Sequence, residues 1–267
     1  MRWGAPMVWI FMFVLAAGQA HATLRILATD PLAHALVKEL ILQIDGVQVE
    51  ALQDNPAVCI HDYQLIPKDV QRIHRADVVL LMGQEPEAVR ALLEKRPHQI
   101  KVEALLTVAG AEAALAQMMT ILLPQLGEKA TLLRSQHQRM LSKLAQMQRR
   151  IDSHVRNDKR SQTAWVVASE NAAPLLQALQ KNVIVDLGHA EHVNPRQLQR
   201  WVQQIRQQPQ TRLLIDAQTK ESALVKKIMA LTAVTPVEID CLNQPKSVVF
   251  TDCLDQAVTQ LTRVGDL

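Results

Sequence analysis

Apolar residues along this chain fall into two recurring patterns. Short runs rich in Val, Ile and Leu read as buried strands, and the longer stretches between them carry apolar residues at helical spacing. Leu24–Ala28 is predicted as a first strand, Leu32–Ile44 as a helix, Val47–Leu52 as a second strand and Lys68–Arg75 as a short helix. A third strand follows at Asp77–Met82, a helix at Glu85–Lys95, a fourth strand at Ile100–Leu106 and a helix at Ala111–Leu123. Beyond Pro124 a long helical pattern runs from about Glu128 to Val155. The second half repeats the theme, with strands at Ala164–Ala168, Val183–Leu187, Arg212–Ile215 and Val237–Ile239 and helices between and after them.

Strands separated by helices argue for parallel sheets joined by crossover helices. Four strands lie on each side of the long helix, so the expected fold is α/β, with two lobes. Each lobe has a four-stranded parallel sheet with flanking helices, and one long interlobe helix joins them. Along that helix Leu133, Met140, Leu144, Met147, Ile151 and Val155 form a single apolar stripe on a rod rich in Gln, Arg and Lys. A helix of this span is about 40 Å long, enough to cross both lobes. A coiled-coil arm for dimerisation competes with that reading, but each lobe needs a cover and only one stripe exists.

The amino terminus has a different pattern. Arg2 precedes an apolar run from Ala5 to Ala17, broken only by Pro6, and Ala20-His21-Ala22 offers the small residues read by a signal peptidase. Cleavage before Thr23 is expected. The run is shorter than the roughly 20 residues of a membrane-spanning helix, and no cysteine stands at the cleavage site to take a lipid. The expected organisation is therefore a signal peptide at 1–22, an amino-terminal lobe at 23–126, a linker helix at 127–160 and a carboxyl-terminal lobe at 161–267. The mature chain is expected in a bacterial periplasm, with a retained amino-terminal anchor as the alternative.

Composition narrows the function. The formal charge is +3, or +2 without Arg2, the one charged residue of the first 22, and acids and bases are interspersed. No basic block with interleaved aromatics suggests nucleic acid. Tyr63, Trp165, Trp201 and Phe250 are the aromatics of the mature chain, which leaves no stacking platform for sugars or bases. A site would have to work through charge and coordination.

Open α/β sheets bind ligands at the carboxyl ends of their strands. His61 follows the second strand, Glu170 follows Trp165-Val166-Val167-Ala168, and Asp216 follows Leu213-Leu214-Ile215. One imidazole and two carboxylates, drawn from both lobes, would suit a divalent cation. Each has a structural alternative: His61 as a solvated turn residue, and Glu170 and Asp216 as caps of the helices that follow them.

The stretch Cys59-Ile60-His61-Asp62-Tyr63-Gln64-Leu65-Ile66-Pro67 resembles the first metal-ligand motif of the zinc/manganese-binding solute-binding proteins that serve ABC importers, the ZnuA/TroA-like family. Ser169-Glu170-Asn171-Ala172-Ala173-Pro174-Leu175-Leu176 is similar to that family's histidine-aspartate-alanine-phenylalanine segment. Leu214-Ile215-Asp216-Ala217-Gln218-Thr219 is similar to its strand-end segment, whose acid is the last ligand, and Asn194-Pro195-Arg196-Gln197-Leu198 to the helix start before it. The resemblance spans nearly all of the mature chain and implies a metal site formed by His61, Glu170 and Asp216. It implies zinc first, whereas hard-ligand logic favours manganese or iron. It further implies delivery to an ABC permease of the inner membrane by a monomeric protein.

The chain also departs from that family. Glu170 stands where a histidine is usual, the second histidine expected near Leu105-Leu106-Thr107-Val108-Ala109-Gly110 is missing, and the histidine-rich acidic loop is absent. The set is one short of a closed four-ligand shell. His189 and His192, after the strand Val183–Leu187, could complete it, as could Cys59, whereas His98 lies at the wrong end of its sheet. Cys241, ending the last strand, and Cys253, opening the last helix, could form a disulfide.

The sequence contains no His-Glu-x-x-His, Gly-x-Ser-x-Gly, P-loop or dinucleotide fingerprint. A binding protein is expected, not an enzyme. The alternative function is a diverged relative that has lost metal transport and binds a protein partner or another small solute.

Overall fold

The computed structural model describes residues 23–53, 63–83, 85–157, 163–169, 171–188, 193–216, 219–239 and 249–263. The first lobe contains β1 (Leu24–Ala28), α1 (Pro31–Leu40), β2 (Val47–Ala51), α2 (Pro67–Arg75), β3 (Val78–Leu81), α3 (Glu87–Leu93), β4 (His98–Lys101) and α4 (Val108–Leu126). A single 3-10 turn, Gly127–Lys129, leads into α5 (Ala130–Asn157). The second lobe contains β5 (Ala164–Val167), α6 (Ala173–Ala178), β6 (Asn182–Asp186), α7 (Pro195–Arg206), β7 (Arg212–Ile215), α8 (Ala223–Thr232) and β8 (Thr235–Glu238), and α9 (Phe250–Arg263) follows.

All strand pairs are parallel, and the two sheets share one topology, β2-β1-β3-β4 and β6-β5-β7-β8. The central strands β3 and β5 are buried at every position, as expected of strands covered on both faces. In each lobe the order reverses between the first two strands, so the carboxyl ends of β1 and β3, and of β5 and β7, border a switch-point crevice.

The stripe on α5 is used within the chain. Leu133, Met140, Leu144, Met147 and Ile151 are buried in one core cluster that joins residues of both lobes, and Val155 packs against its edge. This leaves no apolar seam for a coiled-coil partner. Gln136 lies on the same stripe and donates its side-chain amide to the carbonyl of Leu42 at 3.0 Å. The last helix, α9, packs against α1 and α5 and buries Phe250, Cys253, Leu254, Ala257, Val258 and Leu261.

Several boundaries differ from those expected, and three of the differences have a visible cause. β4 is His98–Lys101, earlier and shorter than Ile100–Leu106, because the chain turns at Ala104 with φ +50° and Leu105 and Leu106 pack into the core beneath α4. α4 continues through Pro124 to Leu126 and stops at Gly127, whose φ is also +50°. Proline near the end of a helix removes only one of the last hydrogen bonds, so the glycine, not Pro124, ends it. The helix after Asp216 starts only at Ala223, with Ser222 at its cap position.

Candidate functional site in the interlobe crevice

Asp216 is the one expected metal ligand among the described residues. It follows β7 directly and is only 4% exposed. It does not cap a helix. Its Oδ1 accepts from the backbone N–H of Thr219 at 2.9 Å and from the Thr219 hydroxyl at 2.9 Å, which closes a tight turn and fixes the carboxylate at the strand end.

His61, Glu170, His189, His192, Cys59 and Cys241 lie outside the described residues, but the flanks of each segment are defined. The chain leaves Leu52 and Gln53 at the carboxyl end of β2 and resumes at Tyr63. The Tyr63 hydroxyl donates to Asp69 Oδ2 at 2.8 Å, and that same oxygen accepts from the N–H of Ile66 at 3.1 Å ahead of α2. Asp69 is buried, so the carboxyl-terminal flank of the His61 segment is anchored. Ser169, at the end of β5, precedes position 170 and is buried. Gly188, following β6, precedes the segment that carries His189 and His192, and its N–H donates to Asp186 Oδ1 at 3.0 Å.

The structure adds two acids that sequence reading missed. Asp30 follows β1 and caps α1, its Oδ1 accepting from the N–H groups of Leu32 at 2.7 Å and Ala33 at 3.4 Å. Glu85 follows β3; its Oε1 accepts from the Thr29 hydroxyl and from the N–H of Met82, both at 2.6 Å. Burial raises the Asp30 carboxyl to about 6 against its two N–H donors, and the charges of Glu85 and Asp216 push it further the same way. Asp30 and Asp216 belong to different lobes, so this repulsion acts from one lobe on the other. An aspartate before Pro31 at a helix start reads as a cap, and it is one. The available signal was its position at the carboxyl end of the first strand.

Glu85 Oε2 and Ser169 Oγ are buried without a hydrogen-bond partner. Buried polar atoms are usually satisfied. Orphaned oxygens beside acids suit a cation better than they suit an apolar ligand. Among the described residues no three His, Cys, Asp or Glu side chains form a metal cluster by themselves.

At residues 105–110, where a second histidine was missing from the sequence, the structure has a tightly built helix start. Thr107 caps α4 by accepting from the N–H of Gly110 at 3.0 Å. A side chain at Gly110 would place its Cβ 2.2 Å from the carbonyl oxygen of Ala104. Cys253, in the first turn of α9, takes part in a disulfide whose other half lies outside the described residues.

Comparison with known proteins agrees with this fold. Residues 26–117 match the family model of ZnuA, the periplasmic component A of the zinc-uptake complex. No curated protein matches the sequence. Among solved structures, the solute-binding protein FpvC of Pseudomonas aeruginosa in complex with Mn2+ has a TM-score of 0.75 at 13% identity, covering 91% of this chain and 99% of that one. The complex of FpvC with Ni2+ gives 0.74 at 14% identity, over 91% and 97%. A periplasmic metal-binding protein of Candidatus Liberibacter asiaticus gives 0.73 at 14% identity, over 91% and 99%. A crystal structure of ZnuA gives 0.73 at 10% identity, over 91% and 99%. At such identities the likeness is one of fold. The resemblance read from the sequence is therefore borne out, by the family model over part of the chain and by the fold over nearly all of it.

Proposed function

We propose that this chain is a periplasmic solute-binding protein that captures one divalent transition-metal ion between its lobes and delivers it to an ABC permease. His61 would bind from the first lobe, and Glu170 and Asp216 from the second. The family model speaks for zinc, while carboxylate donors speak for manganese or iron(II).

One observation carries the reading. A sequence-nominated ligand, Asp216, is buried at the mouth of its strand and acts electrostatically on Asp30 of the opposite lobe. Buried like charges repel one another, and among the described residues Asp30 has no ion pair to offset this. The protein gains from an occupant of positive charge.

The test is elemental analysis of mature protein from its own periplasm, followed by chelation and titration with zinc and manganese. About one equivalent of metal, lost in the double variant His61→Ala/Asp216→Ala, is the expected result. Binding no tighter than about millimolar, roughly −4 kcal/mol, would remove the proposal.

A second reading is favoured by one feature. The start of α4 is packed around Gly110 and has no ligand side chain, so the fold could have diverged to hold a protein partner or another small solute. Neighbouring genes for a permease and an ATPase would favour uptake over this alternative.

A further inference from the structure

The first lobe lacks its second nitrogen donor, yet it places a carboxylate at the same crevice from another strand. This inference rests on the metal-capture reading above. Asp30 is 7% exposed, and only its Oδ1 is engaged by the cap of α1. Glu85 and Asp216 both stand close enough for their charges to act on it. Among the described residues, no Lys or Arg forms an ion pair with Asp30 or Glu85. Glu85 is 1% exposed, and its second oxygen has no hydrogen-bond partner. In the other lobe Ser169, which follows β5 beside β7, also holds a buried and unpartnered hydroxyl.

Helix capping accounts for half of the Asp30 carboxylate. It does not explain why Glu85 is buried behind it with an idle oxygen, or why a third acid approaches from the other lobe. Capping would be served as well by Ser or Asn, without the buried charge. Asp30 and Glu85, buried without an ion pair among the described residues, call for a counter-ion or a proton. The Asp30 oxygen that the cap leaves unused can be satisfied by one hard cation.

We propose that Asp30 is a direct ligand of the captured cation, opposite Asp216, and supplies the first-lobe donor that residues 105–110 do not. Asp30, Glu85 and Asp216 do not form a three-ligand cluster by themselves. Glu85 is accordingly a positioning residue: through the Thr29 hydroxyl and the N–H of Met82 it holds the ends of β1 and β3 in place. An added carboxylate makes the donor set richer in oxygen, which raises the affinity for manganese or iron(II) relative to zinc.

The experiment compares chelator-stripped parent protein with Asp30→Asn, Asp30→His and Asp216→Asn. Each is titrated separately with Mn2+ and Zn2+, and folding is checked by circular dichroism and melting. Asp30→Asn keeps both the size and the cap acceptor, and is expected to weaken Mn2+ binding at least tenfold with the fold intact. Asp30→His provides the second variant and is expected to raise the ratio of zinc to manganese affinity at least tenfold. If both variants bind both metals within twofold of the parent while Asp216→Asn loses them, Asp30 is no ligand, although metal capture stands. If the parent binds neither metal, this assignment and the function it rests on fall together.

Discussion

Thr251, in the first turn of α9, is bound to Glu39 of α1 across 212 positions of sequence. Its backbone N–H donates to Glu39 Oε2 at 2.9 Å, and its hydroxyl donates to Oε1 at 2.7 Å. Lys143 of α5 reaches the same pair, 2.9 Å from the hydroxyl and 3.2 Å from Oε1. Three helices distant in sequence are thus tied at one point. The last helix holds the first lobe and the linker helix together.

Thr251→Val keeps the shape of the side chain and removes the hydroxyl, leaving Glu39 Oε1 with only the half-exposed lysine. The expected loss is about 1–2 kcal/mol of unfolding free energy. It would appear as a lower urea midpoint with an unchanged slope. A variant as stable as the parent would show that the linkage is incidental to the fold.

Gly110 leads to a prediction opposite in sign to the usual rule. In a helix Gly→Ala ordinarily stabilises, by up to about 1 kcal/mol. Here the new methyl would sit 2.2 Å from Ala104 O, 2.5 Å from Glu103 O and 2.7 Å from Ala104 C, all of them backbone atoms. The turn before α4 would have to move, so Gly110→Ala is expected to destabilise by about 1–3 kcal/mol, as overpacking does. A thermal melt of the variant checks this directly.

Periodicity gave the order of the strands and the helices between them among the described residues, because these elements follow from local apolar spacing. It misjudged β4, since Val102, Leu105 and Leu106 are buried whether they stand in a strand or beneath a helix. It placed a helix after the last strand but could not say that α1 and α5 cover it, because a local pattern does not name a partner. Asp216 was legible as an acid ending a strand. Glu85 was hidden inside a predicted helix, and Asp30 behind an ordinary capping role. Both were recovered only once the sheet order set their strand ends beside the crevice.

The disulfide of Cys253 is expected to pair with Cys241, leaving Cys59 reduced. Thiol titration of the denatured, unreduced protein should then find one free thiol, and peptide mapping should join residues 241 and 253. A loop of about a dozen residues is worth roughly 3 kcal/mol in the chain-entropy account. Reduction should lower the melting temperature accordingly. A cross-link to Cys59 would refute the pairing.

Asp30→Asn should make the metal-free protein more stable at neutral pH and have little effect in acid. The native carboxyl titrates at about 6 against an ordinary value of 3.8, so the folded state holds the proton more tightly than the unfolded one. Its favourable contribution is complete below the unfolded value and is lost as pH rises through the folded one. Above that, the buried charge costs up to about 3 kcal/mol. Asn imitates the protonated acid at every pH. Unfolding of the two proteins should therefore agree near pH 4, diverge between pH 4 and 6, and differ by as much as that cost at pH 7.5, with the variant ahead. Saturating Mn2+ should then reverse the order by stabilising the parent far more than the variant, because a bound cation turns the unfavourable charge into a ligand. Equal stabilities across the range would show that Asp30 carries no buried charge at neutral pH.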